Sequence, residues 1–181
     1  MKKYRKSLII VAFLFIIVLI NPIKKINKNK DENNYKYVTQ EFSYNIDMDD
    51  LNIVKKEADI VIVGTIIDKN ETEYIGEQKF EDESGNTTTI DGMPFTNFSI
   101  KTEEIIKGKI NVGDVINIKK HGGVSQSDRS IFYLDDGGVF PEIGKKYIIF
   151  SNYQDDGSLI SFGRNTVIEY SEDDFIKLSK D

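Results

Sequence analysis

The chain has no cysteine among its 181 residues and a single histidine, His121. Without cysteine there is no disulfide, no thiol nucleophile, no thiolate metal site and no lipid attachment through a cysteine. Core packing alone has to hold the fold. A zinc site built on one histidine would need carboxylates for its other ligands. The catalytic and binding motifs with a mechanism of their own are also missing. Ser125 and Ser127 lie close to His121, but neither sits in a G-x-S-x-G elbow. Gly122-Gly123 is followed by no Lys-Ser/Thr and no helical pattern, so it is no phosphate loop and marks a tight strand exit. No acidic cluster matches the EF-hand loop.

Acidic residues are absent from the first thirty positions, which carry eight basic side chains. The remainder carries 16 basic and 30 acidic side chains, a net charge of −14. So acidic a region excludes nucleic acid as a partner, since phosphate neutralisation needs a basic face. It favours cations or a basic partner.

What the first thirty residues do have is a long apolar run. Residues 7–20 read SLIIVAFLFIIVLI without a charge, and 17 residues separate the flanking lysines Lys6 and Lys24. A spanning helix needs about 20 residues, with a lower limit of about 17. No pair of small residues follows as a cleavage site, so an uncleaved signal-anchor over residues 1–23 is favoured over a cleaved signal peptide. The expected location is the cell membrane, single-pass, with the C-terminal domain outside; secretion after cleavage is the alternative. Residues 24–44, rich in Lys and Asn, read as a linker. Residues 45–181 read as one domain, and an exported domain without disulfides fits a bacterial cell surface.

Within that domain, residues 47–57 predict a short helix with Asp47 as N-cap, and Leu51, Val54 and Ala58 sharing a face. Residues 60–67 (IVIVGTII) are apolar on both alternations, the mark of a strand buried on two sides, with Gly64 as a bulge or bend. Further strands are predicted near residues 95–106, 115–119, 145–150, 159–162 and 166–170. Two charged excursions, 68–93 and 124–140, separate them. Ser171 predicts the cap of a final helix, with Glu172, Asp173 and Asp174 in its first turn.

The run Glu57-Ala58-Asp59-Ile60-Val61-Ile62-Val63-Gly64 is followed by Glu103-Glu104-Ile105-Ile106-Lys107-Gly108 and by Gly144-Lys145-Lys146-Tyr147-Ile148-Ile149-Phe150. This pattern resembles exported bacterial domains similar to the OB-fold barrels of the netrin-like and tissue-inhibitor-of-metalloproteinase class. The resemblance implies a mainly β fold: a small OB-like barrel of five to six strands with short flanking helices. It carries no activity across. Those inhibitors act through an N-terminal cysteine, which this chain lacks.

Candidate binding residues fall at the end of one strand and in the second excursion: His121, Phe132, Tyr133, Asp135 and Asp136. A surface histidine at a strand end is the favoured reading of His121. Asp135-Asp136-Gly137-Gly138 reads as a solvated loop, with weak calcium binding as the alternative. Phe132, Tyr133 and Phe140 either form an exposed aromatic patch or fold back onto the barrel end. No cofactor and no catalytic set is expected. The leading expectation is a membrane-anchored extracytoplasmic binding module for an envelope protein or glycan, its surface made by the two excursions. A cell-envelope hydrolase or protease inhibitor, and an accessory subunit of a membrane complex, are the alternatives.

Overall fold

A computed structural model describes residues 35–82 and 84–180. The expected signal-anchor and most of the linker lie outside the described residues, as does Glu83. Among the described residues, no helix is long and apolar enough to cross a membrane.

The fold is mainly β. Its centre is one long hairpin, β2 (Ile60–Ile75) and β5 (Met93–Lys107). These strands pair antiparallel from Val61↔Lys107 out to Ile75↔Met93. Strand β6 (Val115–His121) continues antiparallel to β5. The chain then returns through residues 122–145 to β9 (Lys146–Tyr153), which lies antiparallel beside β2. The order β9-β2-β5-β6 is a Greek key. Short β10 (Leu159–Ser161) pairs antiparallel with β9 and parallel with β6. It thereby closes the sheet into a ring of five strands. Strand β11 (Val167–Glu169) adds to β9 outside that ring.

The two alternations of residues 60–63 explain why both faces of β2 are buried. Ile60, Ile62 and Ile66 face inward with Phe98, Ile100, Ile118 and Ile149. Val61 and Val63 face outward with Ile148 and Phe150. Helix α1 (Leu51–Glu57) covers that outer face together with α2 (Glu172–Ser179) and Met48. Each such Val or Ile, fully buried, contributes about 1.5–3 kcal/mol. A chain without disulfides needs that double core. Gly64 sits at a register shift in the β2–β5 ladder. A Cβ there would stand 2.5 Å from Ile100 Cγ2 and 2.8 Å from the Lys101 carbonyl oxygen.

Both ends carry the expected short helices. Ser171 caps α2, its hydroxyl accepting from the Asp174 amide at 3.1 Å. Helix α1 starts later than expected. Its N-cap is Asp50, which accepts from the Asn52 amide at 2.9 Å. Asp47 lies a turn earlier, where it accepts from the Asp49 amide, and residues 45–49 form bends and a turn with Met48 buried against the outer face.

Three stretches depart from the linker-and-excursion expectation. Beyond Ile67 the β2–β5 hairpin runs on as a projecting arm. Its tip is a separate exposed hairpin, β3 (Gln78–Glu81) with β4 (Thr87–Ile90). The second excursion is built in: β7 (Gly123–Val124) pairs antiparallel with β8 (Ile131–Asp135). Strand β1 (Lys36–Gln40), inside the expected linker, lies parallel to β8 from Lys36↔Ile131 to Gln40↔Asp135. Its side chains are largely exposed, so it shows no apolar periodicity. Backbone hydrogen bonds to β8 hold it, and these leave no mark on composition.

Candidate functional site

Strand β6 ends in two adjacent residues that point to opposite faces, Lys120 and His121. The Lys120 stem runs inward among Ile66, Phe98 and Ile118. Its ammonium donates to the Gly163 carbonyl at 2.9 Å and pairs with Asp135 Oδ2. The other Asp135 oxygen meets His121 Nδ1 at 2.6 Å. All three side chains are buried. Burial alone would raise the Asp135 carboxyl. The His121 hydrogen bond and the Lys120 charge outweigh it and hold the group below its ordinary value. Burial lowers Lys120 by more than Asp135 restores. A lysine–carboxylate pair buried this deeply is costly, because desolvation offsets much of the attraction between its partners.

His121 is fully buried, not a surface residue, because the β1-β8-β7 sheet folds over the end of β6. Its Nε2 has no hydrogen-bond partner. Phe42, Phe95 and Phe162 surround the ring edge-on at 5.1, 5.3 and 5.2 Å between centroids. Asp135 orients this imidazole much as an acid orients a general base. Its other ring nitrogen, however, is buried without a hydrogen-bond partner, and three phenyl rings lie around the imidazole. Asp135 is thus no solvated loop residue, and Asp136 points away from it to solvent.

The aromatic residues of β8 fold back. Phe132 is buried and packs edge-on against Phe140 at 5.1 Å, and Phe140 meets Phe98 at 5.4 Å. The Lys69 ammonium lies over both rings, 5.6 and 4.9 Å from their centroids, and its burial lowers its pKa. Tyr133 is half-buried. Of the five expected site residues, Asp136 lines an open cavity.

Two such cavities flank segment 44–48. The first is an apolar groove of about 580 Å³. Ile75 and Met93 come from the arm, Ile160 and Phe162 from the end of β10, and Phe150 from β9. Tyr44, Ile46 and Met48 line it too. Ile75 and Met93 are 36% and 41% exposed, large apolar side chains left in solvent at the rim. The same Phe95 and Phe162 that enclose His121 line this groove. The second cavity, about 330 Å³, shares Tyr44, Ile46 and Met48. It is lined by Glu41, Asp47, Asp136 and Arg164. The Tyr44 hydroxyl is raised, first by burial and then by the charges of Asp135 and Asp136; Arg164 counteracts part of this.

Sequence reasoning missed the groove because five separate segments contribute to it. The one available signal was Ile75, an apolar residue isolated in the charged stretch 68–93. No protein-family model matches this chain, and no curated protein matches it.

Proposed function

We propose that this protein is a membrane-anchored extracytoplasmic binding module whose recognition surface is the groove beside the β2–β5 arm. The observation that carries the reading is the apolar groove of about 580 Å³ with Ile75 and Met93 exposed at its rim. Open apolar concavities of that size are the usual form of a ligand or partner site. The closed Lys120–Asp135–His121 cluster favours binding over hydrolysis, since an oriented histidine sealed by three phenyl rings reaches no substrate. The Greek-key ring closed by a parallel β6–β10 contact supports an OB-like barrel, a fold that binds ligands with a sheet face and adjoining loops. The fold alone does not name the partner. The lysine-flanked apolar run before residue 24 is the proposed anchor.

The test is a photo-crosslinking amino acid placed at Met93 in the full-length protein, expressed in its native cells. Val112, 63% exposed in the turn beyond the opposite end of β5, is the control position. The reading predicts a discrete adduct from position 93 and none from 112. Adducts equal in yield and pattern at both positions would remove the groove as the recognition surface.

A further inference from the structure

The groove and the polar cavity beside it have a common wall in Tyr44, Ile46 and Met48. We propose that together they take a polypeptide segment carrying an apolar side chain next to a basic one, the apolar group in the groove and the cation in the cavity. This rests on the binding-module reading and adds the chemistry of the partner.

The cavity has carboxylates in excess. Glu41, Asp47 and Asp136 line it against one cation, Arg164. That guanidinium is already paired with Asp49 at 2.9 Å. No ion-pair partner neutralises Glu41, Asp47 or Asp136 among the described residues. Residues 31–181 carry −14 in all, so the long-range field agrees in sign with the local one. An anionic segment would meet uncompensated repulsion at the cavity. An inorganic cation alone would leave the groove empty. A purely apolar ligand would fill the groove and leave the carboxylates without a counter-charge. A polypeptide with adjacent apolar and basic side chains satisfies both cavities at once.

Fluorescent decapeptides of alternating Leu-Lys, Leu-Glu and Ser-Lys, titrated into the full-length protein and read by anisotropy, test this. Leu-Lys is expected to bind about tenfold or more tighter than the other two. Asp47→Asn with Asp136→Asn removes the two charges and keeps their hydrogen-bonding oxygens. It is expected to weaken Leu-Lys by about five- to tenfold. Glu172→Gln with Asp173→Asn removes the same charge from the first turn of α2, which lines neither cavity, and is expected to leave binding unchanged. Unchanged melting curves establish that both double variants are folded. Equal weakening by the two double variants would mean non-specific attraction and overturn the proposal. So would Leu-Glu or Ser-Lys binding as tightly as Leu-Lys, or no binding at all. A Met93 adduct alongside a negative peptide result would retain the groove and discard the basic partner. Loss of both results would remove the groove reading itself.

Discussion

Asp135 and Asp136 are neighbours in sequence and face opposite environments, one sealed against Lys120 and His121, the other lining an open acidic cavity. Nothing in the dipeptide distinguishes them. The distinction comes from β8, whose alternation sends position 135 inward, and from pairing with β1, which sequence periodicity could not show. His121 departs from its sequence expectation for the same reason: a polar residue at a strand end reads as solvated, and another sheet buries it. Asp135→Asn keeps an oxygen for His121 Nδ1 and leaves the Lys120 ammonium buried without a counter-charge. The expected loss is about 3–5 kcal/mol, measured by urea unfolding at neutral pH. The folded carboxyl titrates below its ordinary value, so its stabilisation is complete above that value and disappears as pH falls through the lowered one. The urea midpoint of the native chain should therefore fall more steeply than that of the Asp135→Asn variant as pH drops below about 4. Parallel acid curves would contradict the assignment of that charge.

Among the elements, those with a local signal were legible. The Ser171 cap with its acidic first turn marked α2, and the doubly apolar run at residues 60–63 marked the central strand. Gly64 was legible as a bulge, and its packing now gives the reason: the backbone of β5 and Ile100 occupy the space of a side chain. Gly64→Ala is expected to cost about 1–3 kcal/mol through overpacking, seen as a lowered melting temperature with an unchanged unfolding slope. Elements whose pairing is long-range were not legible. Strand β1 is polar, β8 lies in what reads as a loop, and the arm continues β2 through a stretch rich in Glu and Thr. The pairing of β1 with β8 sets Lys36 opposite Ile131, far away in sequence, and backbone hydrogen bonds carry it.

At the scale of the whole molecule, an acidic domain surrounds an open apolar groove, and its one histidine is walled off from it by Phe95 and Phe162. Fold class was readable because a double core demands long apolar strands. The groove was not, because it forms only when arm, ring and segment 44–48 meet. The absence of cysteine permits a direct measurement of both location and occupancy. Met93→Cys and Val112→Cys are each labelled with a membrane-impermeant maleimide, once on intact cells and once on purified full-length protein. The account predicts that position 112 labels at the same rate in both settings, while position 93 is several-fold slower on cells, where its partner covers it. Position 112 reacting only after lysis would contradict the extracytoplasmic location. Position 93 reacting as fast on cells as in isolation would contradict an occupied groove.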